Sequence, residues 1–324
     1  LEKTNDNKNN GTIYVNGNKS VGIKTTNDKK QTANNDGNII VSGEGAMGMY
    51  AYSGGTVINN KEIYVEGNYS SGLFGKNTGT TVTNEKDAKI FVSKNSVGIK
   101  LEDKATGENK GIINVQEGTG VTLKGESLFV NSGTINGVTE AIKSLGGDNT
   151  VYLKDGSNIT GKIIGADGVD VLGLRAGTYS NLNVNDYEAV VVRDGDIKVS
   201  NSTISLKYNE KTDKKLEASK ESMDKYDAPD KSDKVIPKVD KGNLVLNNSN
   251  LIINIGNKKA GELRTMVDAK EVTLENVKFG FKSDKGDKTF NITDILTDVT
   301  DGVINDKTNL DYLGSNSTAI WNYS

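Results

Sequence analysis

Cysteine and histidine are both absent from the 324 residues of this chain, and only 2 prolines and 3 arginines are present. Without histidine there is no Ser-His-Asp or Cys-His catalytic arrangement. Without either residue there is no structural zinc site, no haem or iron–sulfur ligation and no disulfide framework. No run of about 18 apolar residues is present that could cross a membrane as a helix. These absences remove several classes of enzyme and electron carrier.

The charge balance argues against nucleic acid as a partner. The chain has 40 Lys+Arg against 43 Asp+Glu, a formal net charge of −3, whereas nucleic-acid binding usually requires a basic stripe. Hydrophobic residues make up only 34% of the chain, while 37 Gly and 39 Asn are present. This composition favours a fold with a thin core and many short turns.

A block of about 25 residues recurs five times. Each copy contains Ile-x-Val, a short polar turn, a small residue, Gly and an aliphatic residue, as in GTIYVNGNKSVGIK at 11–24. The valines are separated by 26, 24, 27 and 23 residues at Val15, Val41, Val65, Val92 and Val115. The glycines are Gly22, Gly48, Gly72, Gly98 and Gly120. Alternating β-branched residues indicate strands, so the repeat predicts a solenoid whose coils pair in parallel with their neighbours.

Each coil has room for three short strands, and asparagine marks one of the corners between them. The first strand is Ile-x-Val, the second follows the glycine, and the third is TVINN at 56–60 or TVTNE at 81–85. Asparagines precede the Ile of the next coil at Asn9, Asn35, Asn59, Asn84, Asn109 and Asn131. Asn tolerates left-handed turns, and stacked Asn side chains can hydrogen-bond along the coil axis. Two interpretations stay open, a turn preference alone and an internal asparagine ladder.

The pattern predicts an all-β, right-handed parallel β-helix of about eleven coils with one charged, helix-compatible insertion. Residues 1–206 are expected to form coils, 207–241 a charged excursion with both prolines, and 242–324 further coils. Within the excursion, 210–226 has the composition of a helix, and VVV at 190–192 predicts a strand buried on both faces. The excursion is interpreted either as a solvated loop or as an arm that contacts a partner or braces the coil.

Two acidic groupings are considered for chemistry. GADGVDVL at 165–172 matches the calcium β-roll repeat except at Ala166, but such sites need successive copies and one is present. Carboxylates with a nearby arginine could serve a carbohydrate-active β-helix enzyme. The candidate sets are Asp167, Asp170 and Arg175, and Asp194, Asp196 and Arg193. Because Asp-Gly turns explain both, we expect no enzyme activity, no metal and no cofactor.

Exposed aromatic residues are the candidate ligand-binding residues. The middle residue of Ile-x-Val points outward if Ile and Val point inward, which gives an outward strip of Tyr14, Tyr64 and Phe91. A second zone surrounds the second strand, with Tyr50, Tyr52, Tyr69 and Phe74. Aromatic patches favour protein or sugar contacts. The alternative interpretation is a stacked ladder that stabilises the sheet.

The chain resembles the β-helical passenger domains of type V autotransporters. The resemblance rests on the Ile-x-Val and Gly-aliphatic coils, the Asn-rich turns and GKIIGADGVDVLGL at 161–174. The Asn- and Lys-rich composition, the charged insert and the final STAIWNYS are most similar to the large fusobacterial autotransporter adhesins. The resemblance implies a cell-surface passenger, attached to the outer membrane only through a C-terminal β-barrel that lies outside this sequence.

The same resemblance implies a non-enzymatic adhesin segment. Its expected partners are a host-cell surface protein or glycan, or a partner bacterium, and no nucleic acid. Two alternatives remain: a carbohydrate-active β-helix enzyme, and a passive stalk whose binding residues lie elsewhere in a longer protein.

Overall fold

A computed structural model describes residues 7–26, 31–228, 236, 238–256 and 266–282. Within them lie 28 β-strands and one α-helix, and the strands pair in parallel as a β-solenoid of about ten turns. The predicted solenoid class is therefore confirmed. Two compact units are present: unit 1 comprises residues 1–151 and 156–167, and unit 2 comprises residues 152–155 and 168–324. The expected coils in 283–324 lie outside the described residues.

Three columns of strands build unit 1, and we number its faces after the order of strands in the repeat. Face three, which precedes the asparagine corner, contains β1 (Asn7–Asn9), β4 (Thr32–Asn35), β7 (Thr56–Asn59), β10 (Thr81–Asn84), β13 (Thr106–Asn109) and β16 (Leu128–Asn131). Face one contains β2 (Thr12–Val15), β5 (Asn38–Val41), β8 (Glu62–Val65), β11 (Lys89–Val92), β14 (Ile112–Val115) and β19 (Asn158–Ile164). Face two contains β3 (Val21–Thr25), β6 (Met47–Tyr52), β9 (Ser71–Lys76), β12 (Ser96–Glu102) and β15 (Gly118–Lys124). The long strand β17 (Thr134–Ser144) pairs first with β14 and then with β15, so it serves both faces. Strand β19 follows β17 along both parts, with residues 158–160 on face one and 162–164 on face two.

The core of unit 1 follows the predicted period-2 pattern. In face one, Ile63 pairs in register with Ile39 and Ile90, and Val65 pairs with Val41 and Val92. All of these side chains are buried. Because each inward side chain stacks on the same residue type one coil away, the columns form a continuous apolar core. The free energy of such a core arises mainly between neighbouring coils.

The glycine column is explained by close packing between coils. A Cβ atom on Gly72 would lie 2.8 Å from the carbonyl oxygen of Gly98 and 3.0 Å from a methyl group of Ile90. On Gly48 it would lie 2.7 Å from the carbonyl oxygen of Gly72. These contacts are too short for any side chain, so the backbone of each coil can approach the next only at a glycine.

The asparagine ladder is present and internal. The Nδ2 group of each asparagine donates to Oδ1 of the asparagine one coil later, at 2.7–2.9 Å, through Asn9, Asn35, Asn59, Asn84, Asn109 and Asn131. All members from Asn35 onward are fully buried. The last Nδ2 group donates to the carbonyl oxygen of Gly133 at 2.9 Å. Of the two interpretations of the asparagine corner, the ladder is the one the structure contains.

Unit 2 is also built from parallel strands, with longer and less regular coils. One column contains β20 (Val171–Ser180), β22 (Ala189–Ser200), β24 (Asn243–Asn247) and β27 (Glu271–Glu275), with β26 (Val267–Asp268) also paired to β22. The other contains β21 (Asn183–Tyr187), β23 (Thr203–Lys207), β25 (Asn250–Asn254) and β28 (Lys278–Lys282). The short strand β18 (Thr150–Leu153) lies at the unit boundary, with Tyr152 and Leu153 assigned to unit 2.

The charged insertion contains the helix α1 (Thr212–Asp227), close to the predicted 210–226. It packs on β20 and β22. The side chain of Met223 is fully buried against Gly173. A Cβ atom at residue 173 would lie 2.3 Å from the sulfur of Met223, so only glycine leaves room for the helix there. The helix covers the outer side of β22, so Val190, Val191 and Val192 are all buried as expected. The helix α1, the part of the insertion that the structure describes in full, therefore braces the coil.

No helix among the described residues has both the length and the apolar character needed to cross a membrane. The three-part division at 206 and 241 stays a prediction, as does the right-handed sense of the coils.

Candidate binding surface

The outward strip of face one exists as predicted. Tyr14, Ile40, Tyr64 and Phe91 occupy one register position on four successive coils. The rings of Tyr64 and Phe91 stack with centroids 4.9 Å apart and an interplanar angle of 10°. The hydroxyl of Tyr64 donates to Oε2 of Glu62 at 2.6 Å, and this bond raises the pKa of Tyr64. The stacked part of the strip is therefore a structural ladder, as one interpretation expected.

Face two carries a second aromatic row, flanked by lysines. Tyr50 stacks on Phe74 with centroids 5.0 Å apart, and the ring of Tyr52 lies 6.0 Å from that of Tyr50. The Nζ atom of Lys24 lies 5.8 Å from the centroid of Tyr50, and that of Lys100 lies 4.7 Å from the centroid of Phe74. Each ammonium thus covers the ring of a neighbouring coil, in the cation–π geometry.

Three of the candidate aromatics remain open to solvent. Tyr14 is 66% exposed, Tyr69 is 71% exposed and Tyr52 is 37% exposed. Tyr69 lies in the turn between faces one and two, with a left-handed φ of 56°. Ring contacts of Tyr14 or Tyr69 are absent from the described part of the chain. The structure thus brings together Tyr64 with Phe91 and Tyr50 with Tyr52 and Phe74, and leaves Tyr14 and Tyr69 separate.

The arginines considered for an enzyme site bind the helix instead. Arg175 donates to Oδ1 of Asp227 at 2.7 Å and to Oδ2 of Asp194 at 3.0 Å. The Nη2 group of Arg193, which is 3% exposed, donates to Oδ1 of Asp224. Asp224 and Asp227 lie on the last turn of α1, so each arginine of strands β20 and β22 holds one aspartate of the helix.

Asp170 and Asp196 take structural positions, whereas Asp167 is exposed. Asp196 accepts a hydrogen bond from the side chain of Asn243 at 2.8 Å. Asp170 is fully buried, and its backbone N–H donates to Oε2 of Glu188 at 2.6 Å. No group of three or more His, Cys, Asp or Glu positioned to hold a metal is found within the described ranges.

Sequence reasoning missed two features of the site region. One is the network around Asp227, which accepts hydrogen bonds from Tyr152 at 2.6 Å and Lys154 at 3.2 Å; burial and this bond raise the pKa of Tyr152. These contacts join residues more than 70 positions apart that do not belong to the repeat, so the sequence pattern does not predict them. The other is the lysine content of face two. This feature could have been predicted from the sequence, because Lys24 and Lys100 each follow a repeat glycine by two residues, at an outward position of the second strand.

Comparison with protein families, curated proteins and solved structures gave no match to this chain.

Proposed function

We propose that this chain is a non-enzymatic, surface-exposed adhesin segment of the autotransporter type, in which unit 1 presents the binding surface. The proposal is carried by the outward aromatic side chains of unit 1, which a parallel β-solenoid holds in fixed positions. Exposed aromatic side chains give large contact area at a low cost in rotamer entropy, which makes them common anchors of partners. A host-cell surface protein or glycan, or a partner bacterium, is the proposed target.

The distribution of exposure separates contact residues from structural ones. Tyr64 stacks on Phe91 and Tyr50 stacks on Phe74. Tyr14 and Tyr69 are more than 60% exposed, and neither ring contacts another ring among the described residues. We therefore assign contact with the partner to Tyr14, Tyr69 and the partly exposed ring of Tyr52. The stacked rings stabilise the sheet through cross-strand contacts.

Two pairs of substitutions test this assignment. Tyr14→Ser with Tyr69→Asn removes the exposed rings; Asn is chosen because it tolerates the left-handed backbone of residue 69. Tyr64→Ser with Phe91→Ser removes the stacked pair. We expect the first pair to weaken binding to cultured epithelial cells about tenfold, with an unfolding midpoint within a few degrees of the parent. The second pair should lower the midpoint more.

If the parent binds and the Tyr14/Tyr69 variant binds equally well, the assignment is wrong. A parent chain that captures no cell-surface protein, glycan or bacterium would favour the passive stalk. The enzyme alternative predicts release of reducing sugar from a glycan panel, abolished by changing Asp167 and Asp170 together.

A further inference from the structure

Face two of unit 1 is basic, although the whole chain has a net charge of −3. One outward row runs through successive coils as Lys24, Tyr50, Phe74, Lys100, Thr122 and Lys143. The next runs as Tyr52, Lys76, Glu102 and Lys124, and a third continues through Glu140 to Lys162. The face thus carries six lysines and two glutamates.

The other two faces lack this excess. On β2, β5, β8, β11 and β14, the outward charged side chains are Glu62 and Lys89, which form an ion pair at 3.9 Å. On face three they are Lys8 and Glu108. The concentration of lysine is therefore a property of face two and not of the composition as a whole.

The carboxylates of the region do not neutralise all of its lysines. Glu102 is shared by Lys76 at 3.2 Å and Lys100 at 3.0 Å, and Lys143 pairs with Glu140 at 2.8 Å. Lys76 also reaches Asp103 at 3.5 Å, at the corner that borders the face.

Further acids at this corner include Glu126, which is paired with Lys104 at 3.0 Å. No ion pair to a carboxylate is found for Lys24 or Lys124 in the described part of the chain, and both side chains are exposed. Positive charge consequently remains at the first coil and near the last coil of the face.

We infer that face two binds a linear anionic polysaccharide whose chain runs along the coil axis. This inference rests on the proposed binding function and names its ligand class. Coils repeat about every 4.8 Å, so Lys24 and Lys143, five coils apart, span about 24 Å of a repeating polyanion. A polymer with regularly spaced sulfate or carboxylate groups meets a lysine on most of these coils, and each contact adds modestly to a cooperative whole.

The aromatic row between the lysines favours a polysaccharide over single-stranded nucleic acid. Nucleic-acid channels offer free ring faces on which bases stack. Here the faces of Tyr50 and Phe74 are covered by each other and by the ammonium groups of Lys24 and Lys100. Only the edges of these two rings face solvent, and they lie beside the lysine ammonium groups. This combination of apolar edge and positive charge suits a charged sugar, whose surface is partly apolar and partly anionic.

The test compares two lysine variants of the whole chain. Lys24→Gln, Lys100→Gln and Lys124→Gln together alter face two. Lys8→Gln, Lys61→Gln and Lys89→Gln together remove the same charge from the other two faces and the asparagine corner between them. Binding to immobilised heparin, which is sulfated, to hyaluronan, which carries only carboxylates, and to neutral dextran is measured at low and physiological salt. Circular dichroism confirms that each variant is folded.

We expect the parent to bind heparin, hyaluronan or both, but not dextran, with an affinity that falls as salt rises. The face-two variant should bind about tenfold more weakly, and the control variant less than about twofold. Equal loss in both variants would overturn the inference, as would no binding to either polyanion. Tighter binding to single-stranded DNA, or to vesicles containing phosphatidylserine, would overturn it in favour of those ligands. If polyanion binding fails while cells still bind through Tyr14 and Tyr69, only this inference fails and the proposed function stands.

Discussion

Unit 1 and unit 2 contain similar strands but hold their coils together differently. In unit 1 the same residue type occupies the same position coil after coil, as in the asparagine ladder and the glycine column. In unit 2 the corresponding support comes from contacts that occur once, such as Arg193 with Asp224 and Tyr152 with Asp227. The difference separates a fold stabilised by repetition from one stabilised by individual pairs.

The two arrangements should respond differently to damage. A repeated column couples each coil to the next, so loss of one member weakens both neighbours. A single pair acts where it lies, and its removal leaves a buried group without a partner. Because a buried ion pair has paid a desolvation cost, breaking it by removing one partner is more harmful than replacing both.

The largest effect is expected in unit 2, from Arg193→Met. Asp224, which is 8% exposed, would keep the backbone N–H of Val239 as a hydrogen-bond donor but lose its cation. We expect a loss of about 3–5 kcal/mol in the free energy of unfolding, measured by urea denaturation with circular dichroism. The double variant Arg193→Met with Asp224→Leu should recover much of it. A double variant as unstable as the single one would mean that the pair is not what holds α1.

In unit 1, Asn59→Ala breaks the ladder at a buried position. The buried Nδ2 group of Asn35 would lose its acceptor and the buried Oδ1 atom of Asn84 would lose this donor, while the bonds of Asn35 to Asn9 and of Asn84 to Asn109 would remain. The expected loss is about 2–4 kcal/mol, since each unsatisfied buried group costs about 1–3 kcal/mol.

The control is Asn60→Ala, the next residue along, which is half-buried and bonded to Asp36. It should cost about 1 kcal/mol or less. Hydrogen exchange should reveal faster opening on both sides of residue 59. Exchange confined to one coil would contradict coupling between neighbours.

The two units also differ in how far the sequence predicts them. The core columns, the glycines and the outward aromatic strip of unit 1 follow from period 2 within a strand and about 25 residues between coils. The same period places the asparagines at one corner, but it left a ladder and a turn preference as alternatives. The helix of unit 2 was recognisable by composition, but its contacts were not. Nothing in the spacing of Arg175 and Asp227, 52 positions apart, distinguishes an ion pair from two surface charges. Contacts that repeat from coil to coil leave a periodic pattern in the sequence and can be predicted from it, whereas contacts that occur once leave no such pattern.

The smallest effect concerns pH and again contrasts the units. The pKa of Glu188 in unit 2 is raised to about 8, mainly by burial; the N–H bond from Asp170 opposes the shift, and the nearby Asp170 carboxylate adds to it. In unit 1, burial acts to raise the pKa of Glu102, but its bonds to Lys100 and Lys76 outweigh this and lower it. The folded protein therefore favours protonated Glu188 and ionised Glu102.

The signs of these two shifts give opposite pH windows. Stability from Glu188 is fully present below its unfolded pKa, near 4.5, and is lost as pH rises through about 8. Stability from Glu102 is lost as pH falls below its ordinary range. We expect the parent to lose about 1–3 kcal/mol between pH 5.5 and 8.5. Glu188→Gln keeps an acceptor for the N–H of Asp170 but cannot ionise, so its stability should change far less over this interval. Glu102→Gln is the matched control in unit 1 and should retain the parent's slope. Parallel slopes for the parent and the Glu188→Gln variant would mean that another group carries the dependence.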